Sequence, residues 1–179
     1  MKKVTIIWIV VIACATNMSS VYGQSRAKKK EIIADSKIAK VEFITTDPLM
    51  EVLFEKAYGY VIFPNVGKGG FIIGGAAGNG AVYERSKLVG LAKLSQVSIG
   101  FQAGAQVYRE VVFFESENDM DRFKNSQIEF AAQVSAVAVT AGASANVKYA
   151  EGVMVFTMQK GGLMYEATVG GQQFEFNKL

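Results

Sequence analysis

The chain has 179 residues, 19 Lys and Arg against 16 Asp and Glu, a formal charge of +3, one cysteine, one tryptophan and no histidine. The absence of histidine excludes imidazole catalysis, and a single cysteine leaves no ordinary zinc or redox-metal ligand set. The small charge surplus gives no reason to expect a nucleic-acid partner.

In chain order, Lys2 and Lys3 precede an apolar run of twelve residues, Val4 to Ala15. A spanning helix needs about 20 residues, so this run reads as the h-region of an export signal. Val21-Tyr22-Gly23 supplies the small or medium residues of a signal-peptidase site, so residues 1–23 are expected to be removed and Gln24 to start the mature chain. Cys14 sits inside the apolar run rather than at its end, which favours a filler role over a lipidated cysteine. Cleavage after Gly23 leaves 156 residues without Cys or Trp and with a charge of +1, long enough for one core without staples. The expected location is the periplasm or the envelope surface.

Residues 24–30 form a basic segment with Arg26, Lys28, Lys29 and Lys30, and Lys37 and Lys40 follow. Such a cluster is either a solvated end or a source of attraction to anionic head groups, worth about 1 kcal/mol per basic residue near the surface. Glu31 to Thr45 predicts a helix with an apolar stripe of Ile33, Ala34, Ile38, Val41 and Ile44. The stripe is expected to pack on a sheet, the other reading being a helix lying flat in a membrane interface. Asp47-Pro48 predicts the start of a second helix reaching about Ala57, with Asp47 as cap and Leu49, Val52 and Leu53 inward.

Tyr58 to Phe63 predicts a strand broken by Pro64-Asn65 and Gly67. Phe71-Ile72-Ile73 predicts another, followed by glycine turns through Gly80 before Ala81-Val82-Tyr83. Gly75-Ala76-Ala77-Gly78-Asn79-Gly80 is not a dinucleotide fingerprint, and the lysine of a P-loop is missing. Leu88 to Leu94 predicts a strand. From Ser95 to Val107 the residues alternate, with Val97, Ile99, Phe101, Ala103, Ala105 and Val107 on one side and Gln96, Ser98, Gly100, Gln102, Gly104 and Gln106 on the other. That period of two predicts one long strand continuing through Tyr108 to Phe114. Ser116-Glu117-Asn118-Asp119 predicts a capped short helix with Met120 and Phe123 inward. Ile128 to Ser144 favours strand. Gly152–Met158, Leu163–Val169 and Phe174–Phe176, joined by turns at Lys160-Gly161-Gly162 and Gly170-Gly171, predict an antiparallel meander. The fold class is therefore α+β, a single domain over residues 31–179 with a curved antiparallel sheet or partly closed barrel, N-terminal helices and one short internal helix.

Ala57-Tyr58-Gly59-Tyr60-Val61-Ile62-Phe63-Pro64, then Val66, Lys68 and Gly70-Phe71, then the glycine run to Gly80-Ala81-Val82, resembles the opening of the SYLF lipid-binding domain. Gly100-Phe101-Gln102-Ala103-Gly104-Ala105, the Val112-Phe113-Phe114 strand leading to Phe123, and Gly161-Gly162-Leu163 extend the resemblance to roughly residues 30–176. Ala76-Ala77 stands where the family usually has an aromatic residue. The family is also described as actin-regulating. The resemblance implies phospholipid binding aided by an N-terminal amphipathic helix and basic residues, here Lys28, Lys29, Lys30, Lys37 and Lys40, with Lys68 in the matching loop. Export would keep the chain from actin and favour an envelope lipid.

The expected function is thus a non-enzymatic module that recognises anionic phospholipid, with those lysines on phosphate and Ile33, Ile38, Val41 and Phe71 on the acyl region. No cofactor or metal is expected. The alternatives are a small outer-membrane β-barrel or a structural envelope protein, and a hydrolase working through Glu115 and Glu117, acids better explained by the dipole of the following helix.

Overall fold

The computed structural model describes residues 26–70, 73–99, 106–126, 135–160, 167–168 and 171–179. The expected export signal with Cys14, the new terminus at Gln24, Phe71, the Gly100–Ala105 stretch and Gly161-Gly162-Leu163 lie outside the described residues.

Helix α1 covers residues 26–46. Its packed face is Ser36, Ala39 and Phe43, all fully buried, at the three- and four-residue spacing that aligns side chains along a helix. The expected packing stripe is therefore split. Ile33 and Ile44 pack partly against the core, while Ala34 is exposed, as are Ile38 at 55% and Val41 at 63%. Close approach to the backbone explains the choice: the small Ser36 reaches the sheet and its Oγ donates to the Ile62 carbonyl at 3.1 Å.

Helix α2 is Met50–Lys56, with Met50 and Phe54 buried and Leu53 half-buried. The expectation that Leu49 and Val52 face inward is corrected, since they are 47% and 43% exposed. Asp47 does not cap the helix; Leu49 takes that position. The buried Asp47 carboxylate instead accepts the Leu49 N–H at 3.2 Å, the Ser144 N–H at 2.8 Å and the Ser144 hydroxyl at 2.7 Å. Burial disfavours its charged form, but the donors from Ser144, Leu49 and Gly142 prevail and hold its pKa below the usual carboxylate value. The helix starts later as a result, and its inward face shifts by one position.

The strands are β1 Gly59–Gly70, β2 Ile73–Glu84, β3 Lys87–Ile99, β4 Gln106–Phe114, β5 Ser135–Ala138, β6 Val153–Gln159, β7 Ala167–Thr168 and β8 Gln172–Lys178, in the spatial order β7-β5-β6-β4-β1-β2-β3-β8. Pro64-Asn65 shifts the register of β1 without ending it, and the run Gly74–Gly80 lies inside β2, paired on both sides. The expected glycine turns there are replaced by continuous strand. The single long strand from Ser95 to Phe114 is also corrected. β3 runs antiparallel to β2, β2 to β1, and β4 to β1, so β3 and β4 point in opposite directions and cannot be one strand. A period-two pattern carries no sign of chain direction, and Gln96 rather than its neighbour Ser95 is buried.

The C-terminal meander is corrected as well. β6 pairs with β4 antiparallel and with β5 parallel, β7 pairs with β5, and β8 crosses to β3 at the far edge. A parallel pair needs a connection of about a dozen residues; residues 139–152 supply it, with the 3-10 turn Ala143–Asn146 tied to Asp47. Helix α3, Glu117–Lys124, forms as expected. The Ser116 hydroxyl accepts the Asp119 N–H while Asp119 accepts the Ser116 N–H, and Met120 and Phe123 are buried.

Both faces of the sheet are covered. Tyr60, Ile62, Val111, Phe113 and Phe156 meet α1 and α2 on one side. Phe54 packs edge-on against Tyr60 and Phe113, with ring centroids 5.0 and 4.9 Å apart. On the other side Val61, Phe63, Val112 and Phe114 meet α3 and β8. There the sheet curls. Phe174 of β8 lies 5.8 Å from Phe63 of β1, and Gln172 Nε2 donates to Glu110 Oε2 of β4 at 3.0 Å. Four strand spacings separate β8 from β4, about 19 Å in a flat sheet, so only strong curvature brings them together. Edge strands β7 and β8 do not pair with each other among the described residues. The result is a single α+β domain with a curved, mixed and open sheet.

Gly80 sits opposite the β1 irregularity, and a Cβ there would lie 2.6 Å from the Ile62 carbonyl oxygen and 2.7 Å from a Phe63 ring carbon. Gly80→Ala is expected to cost about 1–3 kcal/mol in urea unfolding. Gly67→Ala, with nothing within 4 Å, is expected to stay within about 0.5 kcal/mol of the parent. Burial pushes the Glu110 carboxyl up to about 8 from an ordinary 4.5. The folded chain keeps this proton where the unfolded chain releases it, so the Glu110 contribution to stability is complete below that lower value and declines as pH rises toward the upper one, by at most about 1.4 kcal/mol per pH unit. Unfolding free energies measured from about pH 5 to 8 should therefore show Glu110→Gln gaining on the parent as pH rises; parallel curves would contradict this.

Candidate functional site

The outer face of α1 is the one extended helical surface that the fold leaves unused among the described residues. Lys28, Lys29 and Lys30 are exposed in its first turns and Lys37 is exposed further on. Ala34, Ile38 and Val41 form a ridge beside them, the Lys30 and Lys37 positions flanking it at helical spacing. Leu49 and Val52 add exposed apolar surface on α2.

The other expected site residues are placed elsewhere. Ile33 packs on the core. Lys40 turns inward: its ammonium lies 4.7 Å from the Phe54 ring centre and 5.2 Å from that of Tyr60, and it donates to the Tyr60 hydroxyl at 3.3 Å. Desolvation lowers its pKa, opposed in part by Glu55 and Glu51, and the cation–π contacts offset some of that cost. Lys68 belongs to the opposite face of the sheet, two positions from the core residue Val66, and burial lowers its pKa too. Phe71 is outside the described residues. The structure thus brings Lys28, Lys29, Lys30, Lys37, Ile38 and Val41 onto one helix and separates them from Lys68.

Sequence reasoning missed the groove beside this helix. Arg109 of β4 reaches the α1 side and pairs with Glu42 at 2.5 Å, its side chain only 11% exposed. Lys160 donates to Asn65 Oδ1 at 2.6 Å, and Asn65 Nδ2 donates to Asp35 Oδ2 at 3.2 Å. A charged pair, Arg109-Glu110, inside an apolar strand was the available signal: buried charges need partners, so each marked a specific contact.

Glu115 and Glu117 are exposed, and Glu110 faces the amide of Gln172 and not a second carboxyl. Among the described residues no group of three or more His, Cys, Asp or Glu could hold a metal ion, and no helix is long and apolar enough to cross a membrane. The outer-membrane barrel is not favoured: those barrels are closed and antiparallel, whereas among the described residues this sheet has a parallel pair, helices on both faces and unpaired edges.

Residues 95–178 match the family model described as Las17-binding protein actin regulator, Ysc84. The chain is also 26% identical over 141 residues to Beta cell expansion factor A of Aeromonas veronii, covering 78% of this chain and 54% of that protein. It therefore spans about half the length of this curated relative. Ysc84 domains are binding modules and are not known as an enzyme family. The matched C-terminal segment and the relative make the chain similar to the SYLF family.

Proposed function

We propose that this protein is an exported, non-enzymatic lipid-binding module that recognises anionic phospholipid through the outer face of α1. The observation that carries this reading is the exposure of Ile38 at 55% and Val41 at 63% on the face where Lys37 also stands. A helix with an apolar ridge and flanking lysines lies in the head-group region with its ridge toward the acyl chains. Lys28, Lys29, Lys30 and Lys37 attract phosphate, while Ile38 and Val41 enter the interface. Ile33 and Lys40 serve the helix–sheet contact instead, and Lys68 stands apart from this surface. The apolar leader and the Val21-Tyr22-Gly23 site favour export, which places an envelope lipid within reach and actin out of reach.

Flotation with vesicles of phosphatidylglycerol and phosphatidylcholine tests the reading. Val41→Asp and Lys37→Glu are each expected to lower vesicle partitioning by roughly tenfold, from lost apolar burial and lost charge attraction. Their thermal unfolding should match the parent, because both side chains are exposed. Failure of the parent protein to float with any anionic mixture would end the proposal.

A further inference from the structure

The groove beside the proposed membrane face carries both signs of charge. Two adjoining cavities of about 150 and 140 Å³ share Asp35, Pro64 and Asn65 between α1 and the irregularity of β1. The first is completed by Ile38, Arg109 and Lys160, and the second includes Glu31 and Lys28. Arg109 and Lys160 thus stand at one end, Asp35 lines both cavities, and Glu31 shares the other end with Lys28. Arg109 spends one nitrogen on Glu42, and its Nε has no hydrogen-bond partner among the described residues. Asn65 sits between the two ends, its carbonyl accepting from Lys160 and its NH₂ donating to Asp35. An acceptor aimed at the cation and a donor aimed at the acid is the pattern a small zwitterion presents.

We propose that this groove seats an aminophosphate headgroup, a phosphodiester bearing a primary ammonium, with Arg109 and Lys160 on the phosphate and Asp35 and Glu31 on the ammonium. The inference deepens the lipid-binding reading and rests on it. Ile38 lines the cavity and belongs to the exposed ridge, so a lipid held here by its headgroup directs its acyl chains along the outer face of α1. A quaternary ammonium lacks the N–H donors that Asp35 would accept.

Two arms test this with the protein as processed by the cell. In the first, glycerophosphoethanolamine, glycerophosphocholine and inorganic phosphate are titrated while the Asn65 side-chain amide is followed by NMR. In the second, vesicles hold phosphatidylglycerol constant and carry either phosphatidylethanolamine or phosphatidylcholine as the remainder. The expected result is several-fold tighter binding with phosphatidylethanolamine, abolished in Asp35→Asn and Lys160→Ala while binding to the phosphatidylcholine mixture persists. A saturable Asn65 shift with glycerophosphoethanolamine alone supports a site for the free headgroup; the vesicle increment without that shift supports one that needs the whole lipid. Equal binding to both mixtures, an increment retained in Asp35→Asn, or an equal Asn65 response to phosphate alone would overturn it. If neither mixture binds, the membrane reading fails, and the titration still decides on the groove.

Discussion

The contact between α1 and the sheet sets the position of everything outward of it. It is narrow: Ser36 and Ala39 allow close approach, the Ser36 hydroxyl reaches the Ile62 carbonyl, and Phe43 enters the aromatic cluster around Phe54, Tyr60 and Phe113. Two charges lock the helix against rotation. Lys40 lies over the Phe54 and Tyr60 rings from the helix side, and Arg109 comes through from β4 to Glu42. Buried charges tolerate little displacement, because losing the partner leaves the desolvation cost uncompensated. With the inner face fixed in this way, Ile38 and Val41 have no place to go but outward.

The opposite face has a different task. Its curvature brings β8 over β4 and β1, so that Phe174 closes on Phe63 and Gln172 on Glu110. Glu110 and Gln172 are completely buried, and a neutral carboxyl is the form that such a site favours. Curvature and polar linkage there serve shape, whereas the α1 side offers surface.

Much of this was legible in the sequence, for identifiable reasons. The capping box at Ser116 and Asp119 is a local device and was read correctly, as were the first helix and the start of β1. Pairing was not legible. The alternation around Ser95–Val107 is the same whether the chain runs on or reverses, and the parallel β5–β6 pair depends on a long connection held by the distant Asp47. Hydrophobicity alone ranks Ile38 and Val41 above Ser36 and Ala39 for burial, yet close helix–sheet approach selects the smaller pair. Of the candidate site, the lysines were legible as a cluster. Lys40 was not separable from them, because its cation–π contacts come from residues 14 and 20 positions away. Arg109, Asn65 and Lys160 converge from three parts of the chain, and no local pattern joins them.

The central claim is that α1 holds the sheet with one face and meets lipid with the other. A chain beginning at Gln24 has no cysteine and so takes a single environment-sensitive dye at Val41→Cys or, as a reference, at the exposed Lys87→Cys. Fluorescence spectra recorded with and without vesicles of anionic phospholipid address the claim directly. A blue shift at position 41 with no change at 87 is the expected result. Vesicles that bind the protein yet leave the dye at 41 in water would contradict it.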